Sequence, residues 1–312
     1  MKSFLITGGA GFIGSHLCEK LLKNGNRVIC LDNFITGSRD NLDSLFPIGL
    51  QLIEQDVCKP LDLAEPLDGI FHLASPASPV DFRDKAVEIL KVNSLGTLNM
   101  LELARRNNAR FLLTSTSEVY GDPLVHPQPE EYRGNVSCVG ERSPYDEGKR
   151  FAESLSLAFA RTSGVEVRIA RIFNTYGPRM RKDDGRVIPN LIGAALNGGG
   201  LTVYGEGAQT RCFCYVTDMI EGLWRLFNSA YGLPLNLGSA DEFKIFEIAE
   251  IIRSLTGSSS PIGYSPLPPD DPQKRKPDLT KAREILKWEP ATDLKTGLEY
   301  TINWFKDLAR IN

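Results

Sequence analysis

A chain of 312 residues with 42% hydrophobic and 24% charged content can bury a large core, which excludes a disordered or fibrous protein. Lys and Arg number 36 against 39 Asp and Glu, so the formal charge of -3 provides no global basic field to recruit nucleic acid. No apolar run reaches the roughly 18 residues that span a bilayer, which argues against a membrane partner.

The first residues run directly into a buried-strand pattern, without the basic, apolar and small-residue order of a secretory signal. The six cysteines are scattered with no paired C-x-x-C, so a reduced cytoplasmic setting and no metal are expected. Strands are predicted at 3–7, 27–31, 51–54, 69–74, 110–115 and 166–171, alternating with helical stretches. Strands this apolar leave no face for water, so they imply a parallel sheet covered by helices on both sides, the doubly wound α/β Rossmann arrangement. Long helices are predicted over 81–107 and 145–163. In the second, Phe151, Leu155, Ala158 and Phe159 form one stripe while Leu157 and Ala160 lie on another side. That pattern fits a homodimer paired through the two long helices, and equally a helix wedged between sheet and lobe.

After Asn174 glycine and proline become frequent, yet helices are predicted at 213–228 and 246–255, which implies a smaller mixed α/β lobe. The expected division is a cofactor domain over 1–172 with a returning segment at about 212–237, and a substrate lobe over 173–211 and 238–312. Cys212 and Cys214, two apart, fit one strand face as buried thiols. Arg181 to Asp184 reads as a solvated charged face.

Gly8-Gly9-Ala10-Gly11-Phe12-Ile13-Gly14 follows a strand and opens a helix, the context that makes a glycine pattern a dinucleotide site. Gly8 and Gly11 let the backbone approach a pyrophosphate, and Gly14 permits close helix packing. Asp32 ends the second strand, where a carboxylate accepts hydrogen bonds from ribose hydroxyls and repels a 2′-phosphate, so NAD is expected over NADP. Arg39, seven residues on, is a weaker counter-charge. Asp56-Val57 either flanks the adenine or makes a simple turn. Asn33, Leu73 and Ala74, together with Tyr145 and Lys149, complete the expected cofactor contacts.

Tyr145 and Lys149 are four apart on a helix and share a face. A nearby ammonium and an oxidised nicotinamide stabilise a phenolate, which tunes the tyrosine to take a hydroxyl proton during alcohol oxidation. Thr116, at the end of a strand, adds a hydroxyl to the pair.

With these residues the chain resembles the extended short-chain dehydrogenases/reductases over nearly its whole length, from the glycine loop to Leu286-Lys287-Trp288-Glu289-Pro290. Within them, Thr116-Ser117-Glu118-Val119-Tyr120-Gly121-Asp122-Pro123, His126-Pro127-Gln128, Tyr145-Asp146-Glu147-Gly148-Lys149-Arg150 and Asp271-Pro272-Gln273-Lys274-Arg275-Lys276-Pro277-Asp278 are similar to the UDP-glucuronate decarboxylases, or UDP-xylose synthases. The resemblance implies a UDP-sugar substrate and a redox-neutral cycle. NAD⁺ oxidises the sugar at C4′, the resulting β-keto acid loses CO₂, the enolate is protonated at C5, and the ketone is reduced again. It assigns Thr116, Tyr145 and Lys149 to the redox steps, and Ser117, Glu118 and Arg211 to the carboxylate and enolate.

Two readings of Glu118 stand side by side. An ionised Glu118 about 4 Å from the substrate carboxylate costs on the order of 4 kcal/mol at an effective dielectric of 20, relieved when CO₂ leaves. A protonated Glu118 only positions the substrate. Asn174, Arg179 and Arg275 match positions that hold diphosphate and uridine, and Tyr204 lies in the strand expected against the uracil. The chain departs from the family at Arg133, at Ser137-Cys138-Val139 and at Glu141, beside the catalytic helix. That departure bears on escape of a 4-keto pentose before reduction. A 4-epimerase is the competing enzyme, and a silent NAD-binding sensor the competing non-enzyme.

Overall fold

The computed structural model describes residues 1–63, 65–266 and 274–311. The chain opens with β1 (Ser3–Thr7), α1 (Phe12–Lys23), β2 (Arg27–Asp32), β3 (Gln51–Glu54) and β4 (Gly69–His72). Then come α2 (Asp81–Asp84), α3 (Ala86–Lys91), a π turn (Val92–Gly96), α4 (Thr97–Asn107), β5 (Arg110–Thr116) and a 3₁₀ turn (Ser117–Tyr120). The middle holds α5 (Ser143–Ser163), β6 (Val167–Ile172), β7 (Thr175–Tyr176), α6 (Val187–Leu196), β8 (Leu201–Tyr204) and β9 (Thr210–Cys212). β10 (Cys214–Tyr215), α7 (Val216–Asn228), β11 (Pro234–Leu237), β12 (Glu242–Lys244) and α8 (Ile245–Thr256) follow. β13 (Ile262–Ser265), β14 (Lys274–Arg275), α9 (Thr280–Leu286) and α10 (Leu294–Ile311) complete it.

Seven strands pair in parallel in the order β11-β6-β5-β4-β1-β2-β3, the doubly wound arrangement expected from the sequence. Side chains alternate across it, as the period of two requires. Phe4, Ile6, Val28, Cys30 and Phe71 face α1 and α7, in a core continuous with the lobe. Leu5, Ile29, Leu31, Ile70 and Phe111 face Met100, Leu101 and Ala104 of α4 and Ala152 of α5. Among the described residues no helix is long and apolar enough to cross a membrane.

Phe227 of α7 is the keystone of the first face. It stacks on Phe71 with centroids 4.4 Å apart and meets Phe4 edge-on at 5.7 Å. Gly69 makes room for it, since a Cβ there would lie 2.3 Å from Phe227 Cζ. Phe227→Ala is expected to cost about 3–5 kcal/mol, the range for emptying an aromatic core site, read as a lower urea midpoint at unchanged slope.

The predicted helix over 81–107 is instead three pieces and a π turn. Lys85 leaves helical geometry at φ -118, ψ 25. In the π turn Asn93 points inward, donating to Ile89 O at 2.9 Å and Ser75 Oγ at 3.0 Å, and Gly148 of α5 packs against its Cβ. The helix predicted from 213 begins at Val216, because Cys214-Tyr215 pairs with Thr175-Tyr176. Cys212 and Cys214 therefore lie in different sheets rather than on one strand face, both buried and free. On α5, Leu155, Leu157, Phe159 and Ala160 lean on the core while Phe151 is exposed.

Candidate active site

The carboxyl ends of β1, β2, β4 and β5 open into a cavity of about 710 Å³ that reaches across to the lobe. It lies where the strand order reverses between β1 and β4, the place where open α/β sheets bind ligands.

At one end sits the glycine loop. Gly8 adopts φ +69, and a Cβ there would lie 2.8 Å from Ala74 N; a Cβ on Gly14 would lie 2.1 Å from Gly8 O. Side chains at either position would force apart β1, α1 and the Leu73-Ala74 turn. α1 starts after Gly11 with no side-chain cap and no acid in its first turn, so the amides of Phe12, Ile13 and Gly14 and the helix dipole are left for an anion. Asp32 is buried beside this loop, accepting from Ala10 N and Phe34 N at 2.9 Å each. Burial raises its carboxyl, against the opposing pull of the backbone amides. Asn33 caps Ile35 N at 3.2 Å, and Asp56 closes a turn onto Cys58 N at 2.8 Å, with Val57 alongside. Gly8, Gly11, Phe12, Ile13, Gly14, Asp32, Asn33, Asp56, Val57, Leu73 and Ala74 all line the cavity. Arg39 is exposed, its guanidinium 5.7 Å from the Phe46 ring, and offsets nothing at Asp32. This end fits NAD: an uncapped helix start for the pyrophosphate and a carboxylate for the ribose.

Tyr145 and Lys149 rise from the first turns of α5 into the middle of the cavity. Lys149 Nζ lies 5.9 Å from the Tyr145 ring centroid and donates to Thr114 O at 2.9 Å. Burial pushes the Tyr145 phenol up to about 12, against a hydrogen bond with Thr116 and the charge of Arg186. Burial pushes Lys149 down to about 8, against the charge of Glu153. Thr116 and Arg186 pull Tyr145 back, while the ammonium of Lys149 is turned to a main-chain carbonyl. Phe82 stacks on Tyr145 at 4.9 Å and 17°, and Arg142 lies 5.4 Å over the Phe82 ring.

Thr116 ends β5, and its Oγ1 accepts from Glu118 N at 3.2 Å, starting the 3₁₀ turn that carries Ser117 and Glu118 into the cavity. Arg142 and Arg275 both pair with the Glu118 carboxylate, Arg275 Nη2 at 3.0 Å from Oε2. Burial alone would raise this carboxyl, but the charges of Arg275 and Arg142 outweigh it and hold the group at about 2. The two ion pairs thus favour the ionised form of Glu118. The two guanidiniums offset the negative charge of this carboxylate. Arg275 stands beside Arg211 in the β14–β9 register. Gln128, fully buried, pins the segment after it: its amide N donates to Lys276 O at 2.8 Å, and its Oε1 accepts from Lys276 N at 2.9 Å.

Asn174, Tyr204 and Arg211 line the lobe side, with Arg211 buried and Tyr204 half exposed at the rim. Arg179 also lines the cavity, but it pairs with Glu19 of α1, at the glycine-loop end. The segment 181–184 is only half a solvated face. Lys182 and Asp183 are exposed, while Arg181 bonds Asp81 at 3.2 Å and Asp184 is buried, both on the cavity wall. Asp271, Pro272 and Gln273 lie outside the described residues. Sequence reasoning missed Arg142, Phe82 and Arg186. Arg142 alone left a signal: a cation at the start of a helix opposes the helix dipole.

Residues 4–238 match the NAD dependent epimerase/dehydratase family. The chain is 53% identical to UDP-glucuronic acid decarboxylase 1 of Arabidopsis thaliana, over 97% of this chain and 69% of that one. It is 52% identical to UDP-glucuronic acid decarboxylase 1 of Xenopus tropicalis, over 98% of this chain and 72% of that one. UDP-glucose 4-epimerase with UDP-glucose from Thermotoga maritima superposes with a TM-score of 0.92 at 29% identity, covering 98% of this chain and 99% of that one. UDP-glucuronic acid 4-epimerase from Bacillus cereus, in complex with UDP-glucuronic acid and NAD, gives 0.88 at 30% identity, covering 98% and 99%. A glycine loop built for a dinucleotide, a Tyr-Lys pair in the same cavity and these matches lead to one conclusion: the chain belongs to the NAD dependent epimerase/dehydratase family.

Proposed function

We propose that this protein converts UDP-glucuronate to UDP-xylose and CO₂. The observation that carries the reading is Glu118, held ionised between Arg142 and Arg275 beside Tyr145, in a chain more than half identical to UDP-glucuronic acid decarboxylases. NAD, when bound, supplies a two-electron acceptor and donor that is regenerated within each turnover.

Tyr145 takes the C4′ hydroxyl proton as that carbon is oxidised and returns it at the end, with Thr116 orienting the phenol and Lys149 fixing its surroundings. Ser117, Glu118 and Arg211 act around the carboxylate and the enolate. Asn174 and Tyr204 hold the nucleotide, while Arg275, matched to that role by the resemblance, is placed by its pairing with Glu118 at the sugar carboxylate. Arg179, by its pairing with Glu19, is reassigned from the UDP diphosphate to the cofactor's pyrophosphate. Gly8, Gly11, Phe12, Ile13 and Gly14 cradle the same pyrophosphate, with Asp32 and Asn33 on the ribose, Asp56 and Val57 at the adenine, and Leu73 and Ala74 near the reacting end.

Residues 1–172 with 212–237 form the cofactor domain in this reading, and 173–211 with 238–312 the sugar-nucleotide lobe. Six free thiols fit a cytoplasmic setting. A homodimer is proposed through α3, α4 and α5, on which Val87, Leu90, Leu98 and Phe151 are exposed, with Leu95 of the π turn among them.

Incubation with UDP-glucuronate and catalytic NAD, followed by NMR and CO₂ release, tests the reading. UDP-xylose with one CO₂ per sugar supports it. UDP-galacturonate without CO₂ replaces it with 4-epimerisation, and UDP-4-keto-pentose locates a leak at the departing loop. Asp32→Ala is expected to weaken NAD about tenfold or more, the loss of charged hydrogen bonds, with UDP-sugar affinity unchanged by calorimetry. Equal loss of both ligands would remove Asp32 from the ribose site.

A further inference from the structure

Decarboxylation with internal return of the C4′ hydrogen consumes one proton. Tyr145 gives back the proton it took, so the hydrogen that replaces the carboxylate on C5 comes from solvent. Glu118 holds no proton at neutral pH, and Lys149 is turned to Thr114 O. Neither of these two groups is therefore poised to supply it.

Behind Glu118 lies a second cavity of about 340 Å³ that shares Glu118, Arg142 and Arg275 with the first. Its outer rim includes Asp122 and Asn135, both exposed, so it opens to solvent under the departing loop. Its inner wall holds Asp146, which is 6% exposed and whose Oδ1 is buried with no hydrogen-bond partner. Asp146 does not line the main cavity; Glu118 stands between.

We propose that Asp146 is the proton reservoir for C5, drawing on solvent through the side cavity and delivering by way of Glu118. The O–H bond of Asp146 breaks as its proton passes to Glu118, the transient Glu118 O–H bond breaks in turn, and the electron pair left by departing CO₂ forms the C5–H bond. Asp146 remains as a carboxylate and is reprotonated from solvent. It acts through Glu118 and does not touch the sugar. Its surroundings keep it protonated near neutrality. Burial first, then the charge of Glu118, raise it to about 7, with Glu147 adding to the rise and Arg142 and Arg275 opposing it. Asp122 faces it across the side cavity.

The proposal rests on the decarboxylase reading. Its test uses the native full chain, Asp146→Asn and Asp146→Glu with UDP-glucuronate and NAD in D₂O between pH 6 and 9. kcat is taken from CO₂ release, and NMR reads the position of deuterium at C5 of the UDP-xylose. The native rate is expected to fall as pH rises through about 7, with deuterium in a single C5 position. Asp146→Asn loses about hundredfold in kcat, the low end for general acid catalysis, together with the pH limb, and spreads deuterium over both positions. Asp146→Glu keeps a limb at a displaced pH. An Asp146→Asn chain with the native limb, or with deuterium still in one position, overturns the proposal. If that variant fails to hold NAD, Asp146→Glu decides: an unmoved limb overturns it and a displaced one supports it. A native chain that releases no CO₂ overturns the functional reading and this proposal with it, whereas CO₂ release with unaltered variants overturns this proposal alone.

Discussion

Tyr145→Phe is expected to lower turnover of UDP-glucuronate by about a thousandfold, within the range that a positioned acid–base group contributes. Only the hydroxyl is removed. The ring keeps its stack on Phe82 at 4.9 Å, so the geometry of α5 and the fold have no reason to change. NAD should still bind, because its expected contacts at Gly8, Gly11 and Asp32 lie at the other end of the cavity. Burial pushes the phenol up to about 12, so the bound cofactor's positive charge is expected to help bring it down. Single-turnover CO₂ release checks the assignment. Release at a substantial fraction of the native rate would mean that another group takes the C4′ proton.

Glu118→Gln is expected to slow decarboxylation at least hundredfold while C4′ oxidation continues, so that UDP-4-keto-hexuronate accumulates. In the native site one carboxylate partly neutralises two guanidiniums. Without that charge, the attraction of Arg142 and Arg275 for the sugar carboxylate is no longer offset by Glu118. They bind the ground state tightly and hold back the loss of CO₂, which is stabilisation of the wrong state. KM should therefore fall with kcat. Unpairing a buried ion pair also costs stability, about 3 kcal/mol or more. A variant with normal kcat and raised KM would show that Glu118 merely shapes the substrate pocket.

The sheet and the cofactor end were legible because their rules are local. A strand buried on both faces reads as an apolar run, and a glycine that meets a backbone atom at 2.1 Å admits nothing else. The Tyr145–Lys149 pair was legible for the same reason, four residues on one helix face. The state of those groups was not. The partners of Glu118 lie 24 and 157 residues away, so only the fold brings them together. Burial and the nearby charges together then decide which carboxyl is ionised, and no spacing reports it. The π turn was hidden too, since its cause is Asn93 turning in toward Ser75, a tertiary contact. The pairing of Arg179 with Glu19 was hidden as well, because a lone arginine does not disclose that its counter-ion sits on α1.

Arg275 reaches Glu118 from β14, which pairs with β9 and is held by Gln128. Translation therefore delivers the parts in a fixed sequence. Every strand of the large sheet has been made once residue 237 emerges, including the glycine loop, Tyr145 and Lys149, but Glu118 still waits for its second guanidinium. A nascent chain at that stage has the cofactor scaffold and not the charge balance of the finished centre, so the ribosome arms this enzyme last.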